Sequence, residues 1–321
     1  MLLAMTIPAL AADLPGKGVT VQPARATWTT AFFLEALYSR ALKDLGFDVK
    51  APKDLAVPIF YQSVMQGDVD FWANGWFPLH DAQLPKDFDK GATIAGTVAG
   101  GGALQGYLVS KRDADKFNIT SVADFARPEV KKHFDTNGDG KADMISCPPG
   151  WGCEKANTTM LKDTGLGEHI NQIQANYSAA MADGIARYSS GGPIFFYTWT
   201  PNWTVFKLQL GKDVVWINVP EKGYEDTKAT GVEGAATDPI YMGYAPNDIN
   251  VVANKKFLTD NPSAAKMFKL MNVKLLDIFN QNNKMFEGED KRADIDRHVE
   301  EWIAANKVQY DAWLAEAIAA K

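Results

Sequence analysis

The sequence predicts an α/β protein of two lobes with a ligand cleft between them. Three observations carry that expectation. Short β-prone runs alternate with helix-patterned stretches from Val19 to Asn254. The alternation occurs twice, and a late apolar run looks like a strand returning to the first unit. At 321 residues the chain is also longer than one small core needs. The expected division places residues 12–107 and 250–321 in lobe I and residues 108–249 in lobe II. A cleft between two such units is a common place for a small ligand.

The elements follow in order. Val19–Val21 starts a strand. Thr27–Leu45 reads as a helix with Phe32, Phe33, Leu37 and Leu42 inward, stopped by Gly46. Phe47–Val49 and Val57–Tyr61 read as short strands, and Gln62–Gln66 as a helical turn running into Gly67. Val69–Ala73 is a further strand, in a mainly parallel sheet. Leu104–Ser110 carries the chain out of the first unit. In the second, Ile119–Phe125 starts a helix, Cys147–Cys153 is a loop, and Glu154–Lys162 and Ala179–Arg187 are helices. Pro193–Trp199 and Asp213–Val219 are strands, and Asn250–Asn254 is the return strand. From Pro262 the sequence is helical. Val299, Trp302, Ile303, Tyr310, Trp313, Leu314 and Ile318 recur at helix-face spacing, which makes Trp302 and Trp313 core anchors.

Composition excludes some functions. Hydrophobic residues are 46% and charged residues 22%, a soluble globular balance. A net charge of −6, with no basic cluster longer than Lys131-Lys132-His133, excludes a nucleic-acid partner. Residues 1–11 are apolar and end in Ala9-Leu10-Ala11, the small-residue pattern of a signal-peptide cleavage site, so they read as a signal-peptide remnant. A short buried N-terminal segment is the alternative. No basic stretch precedes these residues, so the expected precursor starts upstream of Met1. No later run is long enough to span a bilayer, and the mature protein is expected outside the cytoplasm.

The two cysteines, Cys147 and Cys153, flank Pro148-Pro149-Gly150-Trp151-Gly152. In an oxidising compartment this spacing reads as one disulfide closing a tight loop, with a reactive thiol as the alternative. Three tryptophans stand at element ends rather than in helix-face patterns: Trp76 after a strand, Trp151 between two glycines, and Trp199 at the end of a β-prone run. Such positions are where α/β folds place ligand groups. Three indoles suit a methylated ammonium: the ring quadrupole attracts the cation while the ring surface packs on its methyls. A carboxylate on the same ligand would find the backbone N–H groups of Gly152 and Cys153, which open a helix, and a bond from His80. Core packing and a surface or capping histidine are the plainer readings of these residues.

Several segments resemble, in one order along the chain, the glycine betaine-binding proteins of ProU-type osmoprotectant ABC importers. They are Asp13–Gly18, Trp76-Phe77-Pro78-Leu79-His80-Asp81, Phe134–Asp143, Pro149–Glu154 and Tyr197–Pro201. The resemblance implies a type II periplasmic solute-binding fold whose lobes close on the ligand. It implies that Trp76, Trp151 and Trp199 box the trimethylammonium, that His80 and the Gly152 backbone hold the carboxylate, and that Cys147 pairs with Cys153. It also implies a periplasmic monomer that hands its ligand to a membrane permease with an ATPase. Phe77 departs from the smaller polar residue usual there, and the stretches Tyr61–Trp72 and Gly223–Thr237 diverge, which bears on which betaine is preferred.

Asp135, Asn137, Asp139 and Asp143, with Gly140, match the first part of an EF-hand loop, but Ser146 stands where the bidentate Glu belongs. The loop either holds a structural calcium with help from elsewhere or closes as an Asx turn; no other cofactor is expected. The expected function is therefore capture of glycine betaine or a related onium (proline betaine, a sulfonium analogue, carnitine, choline) without turnover. An extracellular hydrolase with aromatic subsites is the enzymatic alternative. It lacks a convincing acid pair and a Gly-x-Ser-x-Gly elbow. A receptor ectodomain is a third, less favoured because the chain carries no anchor.

Overall fold

The computed structural model describes residues 14–320, so the signal-peptide reading of residues 1–11 lies outside the described residues. Two sheets organise the chain. The first has three strands in the order Phe71–Phe77, Asn247–Asn254, Ala92–Ala103, all antiparallel. The second has five, in the order Val214–Ile217, Gln105–Ser110, Phe195–Trp199, Ala142–Ile145, Ile170–Ile173. Here Ala142–Ile145 pairs parallel with both neighbours, whereas Gln105–Ser110 is antiparallel to both of its own. The two sheets are the centres of the two lobes, and the lobe I sheet is completed by the strand that returns from lobe II.

That return explains why a mainly parallel sheet is the wrong expectation. Strand–helix alternation implies parallel neighbours only where each strand is followed by a helix that brings the chain back to the same edge. Asn247–Asn254 arrives instead from the other lobe and enters the middle of the lobe I sheet in the opposite sense. In lobe I, parallel pairing survives in the short pieces Thr20–Val21 with Asp48–Val49 and Ala24–Arg25 with Lys53–Asp54.

Val57–Tyr61 is not a strand but the start of a helix, Val57–Gln66. Pro58 sits in its first turn, where no N–H is needed, and Gly67 closes it in the left-handed region. Val57, Phe60, Tyr61 and Val64 are buried at helical spacing. The strand Ala92–Ala103 leaves no β-prone signal, being mostly Ala, Gly and Thr. Gly96 serves close packing: a Cβ there would lie 1.9 Å from the Phe268 carbonyl oxygen.

The helix Thr29–Asp44 is the spine of lobe I, with Phe33, Leu34, Leu37, Tyr38 and Leu42 buried. Phe32, expected inward, is only partly buried and lies beneath the Arg25 guanidinium. Ile119–Phe125 yields a 3₁₀ turn at Val122–Ala126 rather than an α-helix. Four helices between Pro262 and Ala319 finish the chain. Trp313 is buried there, while Trp302 is half-buried and donates its indole N–H to Asp277 at 2.9 Å. Among the described residues no helix is long and apolar enough to cross a membrane.

Candidate functional site

The strand Phe71–Phe77 delivers Trp76 to the edge of lobe I and ends at Pro78; a 3₁₀ turn, Leu79–Gln83, then folds His80 back beneath it. The Trp76 backbone N–H donates to His80 Nδ1 at 3.2 Å, and the Tyr61 hydroxyl lies 2.8 Å from the same nitrogen. A backbone N–H can only donate, so Nδ1 is an acceptor and the ring proton sits on Nε2. His80 is 1% exposed, and burial pushes its pKa down to about 3. The imidazole is therefore neutral and presents one N–H.

Two indoles of lobe I share an anchor. Trp28 Nε1 donates to Asn74 Oδ1 at 2.6 Å and Trp76 Nε1 donates to the same oxygen at 2.9 Å. Both rings are thus fixed from behind by a buried side chain of their own lobe. Phe77 lies 6.2 Å from Tyr61 and 6.1 Å from His80, packing behind the imidazole and outside the cavity lining.

Lobe II supplies the opposite wall. Trp199 closes the strand Phe195–Trp199 and pairs in register with Gln105, with Tyr197 two residues back on the same face. Trp151 is the N-cap of the helix Gly152–Asp163, and the Cys147–Cys153 disulfide ties the first turn of that helix to the loop that follows the strand Ala142–Ile145, with the Cα atoms 6.0 Å apart. Buried Asn157 steadies this helix: its Oδ1 accepts from the Tyr107 hydroxyl at 2.7 Å and from the Tyr244 hydroxyl. The first-turn N–H groups of Gly152 and Cys153 have no intrahelical acceptor. A Cβ on Gly152 would stand 3.0 Å from His80 Nε2, so glycine is what lets the imidazole approach the helix terminus.

The two walls meet around a cavity whose empty space, its mouth to solvent included, is about 280 Å³. Trp76, His80, Trp151, Gly152, Cys153 and Trp199 all line it, so the residues singled out from sequence converge on one place. Trp28, Leu79, Gln105 and Tyr197 line it as well. Trp151 sits 5.4 Å from Trp28 and 5.5 Å from Trp199, near perpendicular to both, which turns the rings into walls rather than a stack. Sequence reasoning misses Trp28 because the expected helix Thr27–Leu45 encloses it; the helix starts at Thr29 and Trp28 is its N-cap. The rule that found the other three, a tryptophan at an element end, applies to it equally.

The chemistry of this lining is specific. Among the described residues it holds aromatic faces and a few neutral donors, and no Asp or Glu. A cation here gains no counter-ion and must be held by ring faces. An alkylammonium bearing N–H groups would lose hydration without replacement, whereas a quaternary one has none to lose. At the other end, His80 Nε2–H and the helix terminus offer donors to an anion.

The acidic loop lies elsewhere, and its oxygens accept from its own chain. Asp135 accepts from the N–H groups of Gly138 at 2.7 Å and Gly140 at 2.9 Å. Asp143 accepts from the Thr136 N–H at 2.9 Å, the Thr136 hydroxyl at 2.6 Å, Asn137 at 3.0 Å and Asn171 at 2.9 Å. Asn137 and Asp139 accept from N–H groups two residues on, as Asx turns do. Among the described residues no group of three or more His, Cys, Asp or Glu side chains is placed to hold a metal.

Comparison with known proteins identifies the family. The chain is 41% identical over 317 residues to the glycine betaine/proline betaine-binding periplasmic protein of Salmonella typhimurium, covering 99% of this chain and 96% of the relative. It is 42% identical over 311 residues to the protein of the same description from Escherichia coli, covering 97% and 94%. Its fold matches a solved ABC-transporter choline-binding protein in complex with choline, with a TM-score of 0.73 over 92% of each chain at 17% identity. Residues 19–305 match the family model described as the substrate binding domain of ABC-type glycine betaine transport systems, and the chain belongs to that family.

Proposed function

We propose that this protein captures a small quaternary-ammonium zwitterion, glycine betaine above all, and delivers it outside the cytoplasm to the permease and ATPase of an ABC importer. The observation that carries the reading is a cavity walled by four indoles with no carboxylate, bordered at one side by a helix terminus and a neutral imidazole. Trp76, Trp151 and Trp199, joined by Trp28, pack on the methylated onium. Each ring face contributes on the order of 0.5–2 kcal/mol when desolvated. The Gly152 and Cys153 N–H groups and His80 Nε2–H take the carboxylate, whose own charge strengthens each bond. The protein acts as a monomer whose lobes close on the ligand, and the closed form is what the permease receives. The periplasmic relatives and the family of the chain support this placement.

Isothermal titration with glycine betaine, choline and dimethylglycine tests it. Glycine betaine binds one-to-one with a change in tryptophan emission. Choline, lacking the carboxylate, and dimethylglycine, carrying an N–H, bind far more weakly. Equal affinity for choline removes the anion site, and no binding by any onium returns the four indoles to packing residues.

A further inference from the structure

Two of the cavity's indoles have their N–H groups satisfied by the other lobe. Trp151 Nε1 donates to Thr27 Oγ1 at 2.9 Å, and Trp199 Nε1 donates to Thr30 Oγ1 at 3.3 Å. Thr30 Oγ1 in turn approaches the Pro201 carbonyl oxygen at 3.4 Å. Thr27 and Thr30 flank Trp28 at the entry to the helix Thr29–Asp44, whose body belongs to lobe I. Trp151 and Trp199 belong to lobe II. A backbone bond crosses beside them, from the Val57 N–H to the Gly150 carbonyl at 3.1 Å. Parting the lobes would break all of these at once.

We infer that Thr27 and Thr30 form a closure latch that completes the aromatic box. This rests on the ligand reading above. In the open form the two indole N–H groups bond to water; on closing they exchange water for the threonine hydroxyls. The latch acts on the box through the rings it holds. By pinning the outer edges of Trp151 and Trp199 it fixes how far these rings stand from Trp28 and Trp76, and so the size of onium the box accepts. It also ties ligand release to rupture of the two bonds, so its contribution falls mainly on the dissociation rate. Thr27 and Thr30 are positioning residues: neither lines the cavity.

Valine keeps threonine's shape and removes the hydroxyl; serine keeps the hydroxyl. The double variant Thr27→Val/Thr30→Val is expected to bind glycine betaine about tenfold more weakly, by faster dissociation in stopped-flow tryptophan fluorescence. Thr27→Ser/Thr30→Ser is expected to stay within about threefold of wild type. In the valine variant the disadvantage of an N-triethyl analogue relative to glycine betaine also narrows. Small-angle scattering without ligand gives an independent readout: the valine variant populates more extended forms than the serine variant at equal melting temperature. Should the double variant fail to fold, each single valine variant is expected to carry part of the same change. A valine variant with wild-type dissociation rate and wild-type scattering overturns the latch. A wild type that binds no onium overturns the ligand reading instead, and the latch then stands or falls on the scattering comparison alone.

Discussion

The two walls of the cavity are built on opposite plans. In lobe I, Trp28 and Trp76 both donate to Asn74, and His80 is oriented by Tyr61 and by the Trp76 backbone; every anchor lies in the same lobe. In lobe II, Trp151 and Trp199 donate to Thr27 and Thr30 across the cleft. The first wall is set by folding. With Thr27 and Thr30 acting as the latch inferred above, the second reaches its final form by closure. A cleft protein gains from this division, since a preset wall gives an incoming cation a surface to meet, and a conditional wall makes closing and binding one event.

The contrast can be broken by removing anchors. Asn74→Leu leaves two buried indole N–H groups without an acceptor, each costing about 1–3 kcal/mol. It is expected to lower both melting temperature and betaine affinity, the largest combined effect of any single change. Trp151→Ala, on the half-buried conditional wall, is expected to weaken betaine binding by about 1–3 kcal/mol in a calorimetric titration while shifting the ligand-free melting temperature less than Asn74→Leu does. If the two variants shift melting temperature equally, the distinction between the walls is lost.

Smaller changes sharpen it. Tyr61→Phe removes one of two bonds to His80 Nδ1 and is expected to cost about 1 kcal/mol of affinity, with selectivity for betaine over choline reduced. His80 adds a pH signature. Burial holds its pKa at about 3 in the folded protein against an ordinary 6.5, so the unfolded chain binds more protons between those values. Its contribution to stability is full above about pH 6.5 and is lost as pH falls toward 3. Chemical denaturation of wild type and His80→Gln across that window is expected to show a shallower pH slope in the variant; equal slopes contradict a neutral buried imidazole. Smallest of all is calcium. With the loop's carboxylates accepting bonds from its own chain, added calcium or chelator is expected to leave the melting temperature unchanged, and a saturable rise would place a structural ion there.

How far the sequence reveals this molecule depends on where each signal resides. Trp76, Trp151 and Trp199 are legible because each sits at an element end with little local reason to be there. Gly152 and His80 are legible by their position relative to those rings. Asn74, Tyr61, Thr27 and Thr30 are not. They act by contacts between residues up to 171 positions apart, and nothing in a polar side chain's local surroundings announces a distant indole. The fold shows the same divide. Helix-face and β-prone patterns mark most elements. Strand direction fails, since the chain's return to lobe I is a long-range event, and Ala92–Ala103 fails because it is mostly Ala, Gly and Thr, with Gly96 required by the approach of the Phe268 backbone rather than by propensity. Val57–Tyr61 fails because a short apolar run has no period to decide it; Pro58 and Gly67 together mark the helix.

The central claim is that one pole of the ligand lies among the indoles and the other at the helix terminus. A crystal structure of the protein with glycine betaine tests it most directly. The account predicts the trimethylammonium against the faces of Trp76, Trp151 and Trp199. It places the carboxylate within hydrogen-bonding distance of the Gly152 and Cys153 N–H groups and His80 Nε2. A ligand bound in the reverse sense, or outside this cavity, would contradict it.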